Sequence, residues 1–331
     1  MDTRFGIVSL VIINFNSGRY LPRCLSAIEA QTYPHREVII VDNGSTDGST
    51  AGLRELAADG RIRLFEGANV GSSKANNLGI RDSSGEFVLI LNADAFLEPS
   101  YLEECVRAMR ENEQVGTAVG KLVSASDPSI IDSAGLYFYR EGLPIDRGFG
   151  EKDAGQYQKV EFVDGACCAA ALYRRSMLEA IRLRDEYYRE DFFAFTEDIE
   201  LSFRSTLHGW KTIYLPQAIA HHVRGGSSQS LSEFTFYLNE RNLRAFLKST
   251  FNQVARRSDI WLQSIVLFFR TINLRRKLSP AKRASLKSEI QGLMQQMTGE
   301  ITPIGLGHSF DTRGRRSYLG QAIKTRVQSM L

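Results

Sequence analysis

The chain has 331 residues, 43% of them hydrophobic and 24% charged, with a net charge of +3. That length suits one large domain or a domain with an appendage, and the balance is that of an ordinary soluble globular protein. The four cysteines (Cys24, Cys105, Cys167, Cys168) form no CxxC pair. This suggests neither a zinc ribbon nor a disulfide framework, and a reducing cytoplasm is the default expectation. No apolar run reaches the roughly 18 residues that a membrane span needs. Met1 to Phe5 leads directly into a strand-like run, so no leader is expected. The net charge conceals an asymmetry. Residues 251–331 carry 14 Lys+Arg and 4 Asp+Glu, a net of +10, which leaves 27 and 34, a net of −7, for residues 1–250. A basic tail on an acidic body suits an anionic partner, or a solvated helical appendage.

In chain order, Gly6 to Asn16 predicts a first buried strand that ends in polar residues. The spacing of Leu21, Leu25 and Ile28 predicts a helix over Tyr20 to Gln31, with Pro34 beyond its end. Glu37 to Asp42 predicts a second strand, closed by the turn cluster Asn43 to Ser49 and a helix over Thr50 to Ala58. Arg61 to Phe65 is a short third strand, and Asn69 to Ile80 is a Gly/Ser/Asn-rich loop running into a helix. Phe87 to Leu91 carries five apolar residues without alternation, the mark of a strand covered on both faces. A helix follows over Glu98 to Arg110. Strands alternating with helices predict an α/β fold on a mostly parallel sheet flanked by helices.

Polar residues collect after these strands. Asn14, Phe15 and Asn16 follow the first, Asp42 and Asn43 the second, Asn69 and Gly71 the third, and Asn92 and Asp94 the fourth. Parallel strand ends share one edge, where an open sheet binds its ligand. Asp42 can accept from a base N–H or a ribose hydroxyl, or close its turn. Phe15 can stack on a base, or fill core. There is no GxGxxG and no GxxxxGK[ST], so a diphosphate lacks a backbone cradle. A hard cation would then neutralise it, with Asp94 as an oxygen ligand. The competing job for Asp94 is to cap the next helix.

The segments VSLVIINFN, VDNGSTDGS, NVGSSKANNLGI and FVLILNADAFLEP, in this order and spacing, resemble family 2 glycosyltransferases. The closest resemblance is to bacterial rhamnosyltransferase-like members. It implies a Rossmann-like GT-A domain over residues 1–250 and fades beyond it, where the charge pattern predicts a basic helical extension over 251–331. It implies a nucleotide site formed by Asn14, Phe15, Asn16, Asp42, Asn43, Asn69, Gly71, Asn76 and Asn92, with Asp42 on the base. It puts Asn92-Ala93-Asp94 at the family's DxD position, with Asp94 on Mg²⁺ or Mn²⁺. Asn92 departs from the strict pattern and lowers the charge offered to the metal.

Val115 to Val123 predicts a further strand. Ile131 to Gly155, rich in Gly and charge, predicts a hairpin and a mobile loop over the site. Val160 to Tyr173 predicts one strand beneath the sugar pocket, with Cys167 and Cys168 in the core, and a helix over Arg175 to Ile181. Between Phe192 and Trp210, the spacing of Ile199, Phe203 and Leu207 predicts an amphipathic helix. Thr196 is its N-cap, and Glu197, Asp198 and Glu200 fill the first turn, where acids are favoured. Glycosyl transfer needs a carboxylate to take the acceptor hydroxyl proton. The resemblance gives that role to the Glu197-Asp198 pair, and we take Asp198, held ionised at neutral pH by the helix N-terminus.

Lys211 to Ala220 predicts a strand, followed by His221 and His222. The resemblance puts a metal-completing histidine here; counted from Pro216, His222 matches and His221 is the fallback. Arg224 could pair with phosphate. Asp164, Gly165, Trp210 and Arg224 are the expected acceptor and sugar pocket. Helices are predicted over Glu233 to Thr250, Ile260 to Leu274 and Lys282 to Met297, with Ile301 to Leu331 loosely ordered. The second of these is apolar with basic flanks at Arg256, Arg257, Arg275, Arg276 and Lys277, which suits a membrane interface or a packed or dimer contact.

The sequence thus predicts a metal-dependent, inverting glycosyltransferase. The donor expected from the resemblance is dTDP-rhamnose, with UDP- or GDP-sugars as alternatives. The acceptor is a hydroxyl of a cell-envelope or lipid-linked saccharide. The protein is expected in the cytoplasm, peripheral on the inner face of the membrane or homodimeric, with no nucleic-acid partner. Two rivals stand beside this reading. A sugar-phosphate nucleotidyltransferase would find only a poor triphosphate loop in Asn14 to Arg19. A non-catalytic sugar- or lipid-binding scaffold is favoured by Asn92 alone.

Overall fold

The computed structural model describes residues 6–226, 233–253, 255, 257–277 and 279–282. It divides into two units, Met1–Leu136 with Asp146–Ser230, and Tyr137–Ile145 with Leu231–Leu331. In the first unit β1 (Val8–Asn14), β2 (Arg36–Asp42), β3 (Arg63–Glu66) and β4 (Phe87–Asn92) alternate with α1 (Leu21–Glu29), α2 (Ser49–Ala58) and α3 (Ser72–Asp82). These four strands lie in the order β3-β2-β1-β4, all parallel. The chain continues through β5 (Ala95–Leu97), α4 (Tyr101–Glu111), β6 (Val115–Ser124), β7 (Ile131–Ser133), β8 (Leu136–Phe138) and β9 (Pro144–Asp146). Then come β10 (Glu161–Val163), β11 (Ala170–Arg174), α5 (Arg175–Ala180), α6 (Glu197–Leu207) and β12 (Lys211–His222). β11 inserts antiparallel between β4 and β6, β12 runs parallel beside β6, and β10 pairs antiparallel with β12.

The unbroken apolar run of β4 has a simple cause. Successive strand residues face opposite sides of a sheet, and here both sides are covered. Phe87, Leu89 and Leu91 join one core with Leu21 and Cys24 of α1 and Tyr101 and Leu102 of α4. Val88 and Ile90 join a second core with Ile80 of α3, Met177 and Leu178 of α5, and Leu201 of α6. Each such fully buried side chain contributes about 1.5–3 kcal/mol of transfer free energy.

Two predicted elements differ. The single strand expected over Val160 to Tyr173 is two, β10 and β11, broken at 164–169. Gly165 lies so close to α6 that a Cβ built there would come 2.4 Å from Ser202 Cβ, which pulls the chain out of the sheet. His221 and His222 do not follow β12 but end it, paired with Phe96 and Ala95 of β5. Within 131–155, where a hairpin and a loop are predicted, lie the two-stranded β8–β9 ribbon and β7, which pairs with β6.

In the second unit, α7 (Glu233–Ser249) and α8 (Arg257–Lys277) are the described helices. Arg140 bonds Asp259 at 2.8 Å, Gln263 donates to the Glu141 carbonyl at 2.9 Å, and Phe138 packs on Phe246. Trp261 and Phe268 of α8 are exposed. No described helix is long and apolar enough to cross a membrane. The helix predicted beyond Lys282 and the segment 301–331 lie outside the described residues.

Candidate active site

The parallel strands β1 and β2 end side by side, with Asn14 level with Asp42. Asp42 is buried, and its carboxylate is engaged by its own turn. Oδ2 accepts from Asn14 Nδ2 at 2.7 Å and Thr50 Oγ1 at 3.1 Å, and Oδ1 from the Gly44 and Ser45 amides. Asn16 Oδ1 takes the Thr46 amide at 2.7 Å. Asn43 donates to Asn69 Oδ1 and accepts from the Val70 amide, which ties the ends of β2 and β3 together. Phe15 is half-buried beside them, and Asn92 is exposed at the end of β4. This edge is therefore a set of interlocked turns, and Asp42 is its keystone whether or not it also meets a base.

Gly71 has φ +86°, and a Cβ there would fall 2.3 Å from the Phe193 carbonyl oxygen. The loop 193–196 rests directly on the start of α3: the Ser73 amide donates to that same carbonyl at 3.1 Å. Phe193, Phe195 and Thr196 all have positive φ, a costly run for residues with side chains and a recurrent mark of functional loops. Thr196 does precede α6, but in the left-handed region and without a side-chain cap bond. Its job is to turn the chain so that Glu197 and Asp198 open the helix.

Glu197 is buried and its Oε1 accepts from Ser72 Oγ at 2.7 Å, while its Oε2 has no partner. Asp198 is half-buried; Oδ2 accepts from the Cys168 amide at 3.3 Å and Oδ1 from the Ile199 amide. At neutral pH Asp198 is still mostly ionised, but the helix N-terminus does not hold its carboxyl low. Burial, then the nearby Asp146 carboxylate, outweigh the amide bonds and raise Asp198 to about 6. Burial and the Asp198 charge raise Glu197 to about 7. Both values lie near neutrality, where a general base works best. The loop 165–169 joins this pair to β4, because the Asn92 amide donates to the Ala169 carbonyl at 3.0 Å.

A chain of charges gathers at the other end of β12. His222 is buried, with Nδ1 donating to Asp132 Oδ2 at 2.8 Å and Nε2 3.4 Å from Asp94 Oδ1. Burial disfavours its charged form, but Asp132 and Asp94 overcome that and hold it up at about 9. Arg224 bonds Asp132 at 2.5 Å and Asp146 at 2.8 Å and stacks on Phe149. The strand's alternation turns His221 the other way, onto Glu98 at 3.1 Å. His222 is thus the histidine that meets Asp94.

The donors can be tested against a divalent cation. No group of three His, Cys, Asp or Glu suited to a metal exists among the described residues. Asp94 and His222 nevertheless converge, and Asp132 lies behind the imidazole in the way that orients a ligating histidine. One carboxylate and one imidazole, once the cation displaces its Nε2 proton, fit a hard ion that takes its other ligands from phosphates and water.

Other predicted residues fall elsewhere. Trp210 lies beyond the C-terminal end of α6, an 11-residue helix and so about 16 Å from Asp198, and packs against Gly116 in the core. Arg224 already carries two carboxylates, so a phosphate would have to displace one. Asp164 precedes and Gly165 opens the loop 165–169, and Asn76 is buried on α3 with Oδ1 unpartnered. Burial raises the Cys167 and Cys168 thiols well above their ordinary value, which suits packing and not nucleophilic attack. Sequence reasoning missed Asp132, Asp146, Ser72 and Asn77. Asn77 bonds the Tyr187 and Tyr188 amides and the Tyr188 carbonyl, fixing the approach to the 193–196 loop. The repeated Ile-Asp of Ile131-Asp132 and Ile145-Asp146 was the available signal.

Comparison with known proteins agrees with this geometry. The model of the family described as "Glycosyl transferase family 2" matches residues 9–182, more than half of the chain. Glycosyltransferase GlyA of Streptococcus pneumoniae is 28% identical over 231 residues, covering 66% of this chain and 31% of its own length. The chain therefore spans about a third of that relative. Among solved structures, S. aureus TarS 1-349 in complex with UDP superposes with a TM-score of 0.57 at 16% identity, covering 88% of this chain and 81% of that one. GalNAc-T7 with UDP, GalNAc and Mn²⁺ superposes with a TM-score of 0.58 at 14% identity, covering 75% and 48%. The fold is the GT-A fold. The chain belongs to glycosyl transferase family 2.

Proposed function

We propose that this protein transfers a sugar from a nucleotide-diphosphate donor to a hydroxyl of a saccharide acceptor, with inversion at the anomeric carbon. The nucleotide lies along the ends of β1 to β4. Asp198 accepts the proton of the acceptor hydroxyl as its oxygen attacks the face opposite the departing diphosphate, and no covalent sugar–protein intermediate is needed. Asp94 and His222 would hold Mg²⁺ or Mn²⁺, which supplies charge stabilisation to the diphosphate. Asp132 orients His222. The donor we favour is dTDP-rhamnose, on the resemblance of the motifs, with UDP-sugars next because UDP occupies the two solved relatives. The acceptor we favour is a cell-envelope or lipid-linked saccharide, approached from the cytoplasmic side of the membrane, with the basic residues after 250 on anionic lipid.

One observation carries this reading. Asp198 is joined to the end of β4 through two adjacent residues: the Cys168 amide donates to Asp198, and the Ala169 carbonyl accepts from the Asn92 amide. A base and a donor edge so linked suit a direct displacement between two bound substrates. No observation favours a nucleotidyltransferase, and the convergence of Asp94 with His222 and of Glu197 with Asp198 argues against a scaffold.

The test is calorimetric titration of the purified protein with dTDP, UDP and GDP, each with and without Mn²⁺, on wild type and Asp94→Ala. We expect one nucleotide to bind in a metal-dependent manner that the variant loses. Binding indifferent to metal and variant would remove the cation from the mechanism, and no binding of any nucleotide would reverse the proposal.

A further inference from the structure

A cleft of about 340 Å³ opens where α1, β5 and the ends of β6 and β12 meet, lined by Arg19, Tyr20, Arg23, Phe96, Ser126 and Val223, with Ala125 beside them. Its cations are unusual for this molecule. Arg19 and Arg23 are exposed and have no ion pair or hydrogen bond among the described residues, whereas every other described arginine of the first unit has a partner. Both are instead stacked on rings. The Arg23 guanidinium lies 4.0 Å from the centroid of the buried Phe96 ring, and that of Arg19 5.6 Å from Tyr20. A guanidinium stacked on its face keeps its N–H donors free at its edge, in the fork geometry that matches phosphate oxygens. Arg19 lies in the turn before α1 and Arg23 in the first turn of the helix, and both line the one cleft, so the forks can converge on one group. Their position also opposes the dipole of α1, whose first turn has no acid, so the pair is not there to stabilise the helix.

The cleft borders the active site but is walled from Asp94. A Cβ built on Gly226 would meet the Tyr20 ring at 2.6 Å and Asp94 Oδ2 at 2.8 Å, so the backbone at Gly226 fills the space between them. Val223, on the cleft, immediately follows His222. A phosphate held by Arg19 and Arg23 is therefore a different group from a diphosphate held at Asp94.

We propose that the Arg19–Arg23 cleft binds a phosphate group of the acceptor or of the carrier to which the acceptor is attached. The assignment to the acceptor rests on the glycosyl-transfer reading; the phosphate site itself does not. The test is calorimetric titration of inorganic phosphate into wild type and the Arg19→Gln/Arg23→Gln double variant, once in EDTA and once with Mn²⁺ and saturating UDP. Both side chains are exposed, and melting curves check that the variant folds. We expect wild type to bind phosphate and the variant to bind it about tenfold more weakly or worse, with UDP affinity unchanged in the absence of phosphate. Equal phosphate affinity in the two proteins overturns the site. A comparable loss of UDP affinity overturns the separate assignment, because the arginines would then serve the donor. Sedimentation with phosphatidylcholine vesicles, with and without phosphatidylglycerol, identifies the source. Binding to the anionic vesicles that the variant loses assigns the phosphate to a lipid headgroup or lipid carrier. Phosphate binding without vesicle binding assigns it to a water-soluble phosphosaccharide. If no nucleotide binds at all while phosphate still does, the glycosyl-transfer reading fails and the phosphate site stands.

Discussion

The two halves of the sheet edge are built from different materials. At the ends of β1, β2 and β3, turns are locked by Asn, Ser and Thr bonds around a single carboxylate, Asp42. At the ends of β4 and β12, and at the start of α6, the contacts are between charges: Asp94, His222, Asp132, Arg224 and Asp146 in one chain, with Asp198 close by. The difference teaches where each half is vulnerable. Bonds between uncharged groups barely respond to pH, and losing one costs about 1 kcal/mol. In a buried charge network, deleting one member strands the others unpaired, at several times that cost. The first half suits a nucleotide that needs shape and hydrogen bonds. The second suits chemistry in which charge and protons move.

The largest effect should come from the charged half. Asp198→Asn keeps the shape and removes the base, so kcat should fall by about 10²–10⁴-fold while nucleotide affinity stays within about twofold. In wild type, activity should rise with pH through about 6, because the base must be unprotonated. Unchanged kcat in the variant would make Asp198 a helix-capping acid only. The next effect is indirect. Asp132→Asn leaves Asp94 and His222 in place but weakens the bond that orients the imidazole. Mn²⁺ affinity, read by electron paramagnetic resonance of the free ion, should fall by about 10–100-fold. If it does not, Asp132 serves Arg224 alone.

The same contrast explains what could be read in the sequence. The first half is local: each strand end and its turn lie within a few residues, so Val38 to Asp42 and the following Asn43-Gly44 announce themselves, and the α/β order follows. The second half depends on partners far apart in the chain. Asp132 meets His222 across 90 residues, and Arg224 meets Asp132 across 92. No period or spacing encodes such a meeting, so Arg224 read as an open phosphate ligand when two acids already hold it. The broken strand at Gly165 was hidden for a related reason, because its cause is the approach of Ser202 on another element. Trp210, expected in the sugar pocket, is carried away from Asp198 by the length of α6.

A backbone substitution tests the seam between the halves. Gly71 combines φ +86° and ψ 162°, a region almost closed to other residues, with no room for a Cβ beside Phe193. Gly71→Ala should cost about 2–3 kcal/mol, roughly 5–10 °C in Tm. If the substitution weakens nucleotide binding and leaves Tm unchanged, Gly71 acts through the ligand and not through the loop 193–196.

The smallest effect is the most specific to buried charge. Glu197 has its folded pKa raised to about 7 by burial and by Asp198, against an ordinary value near 4.3. Between those two values the folded state binds more protons than the unfolded state. The stabilisation from this group is therefore complete below about pH 4 and is lost as pH rises through about 7. Glu197→Gln keeps the bond from Ser72 in reach and never ionises. Its Tm should match wild type near pH 4 and exceed it at pH 8, by about 2–4 °C for each kcal/mol recovered. Equivalent changes at the Asn43–Asn69 link should give curves parallel to wild type at every pH, since neither side chain titrates. Parallel curves for Glu197→Gln as well would mean that the carboxylate is solvated, and that the two halves of the edge do not differ in the way their contacts imply.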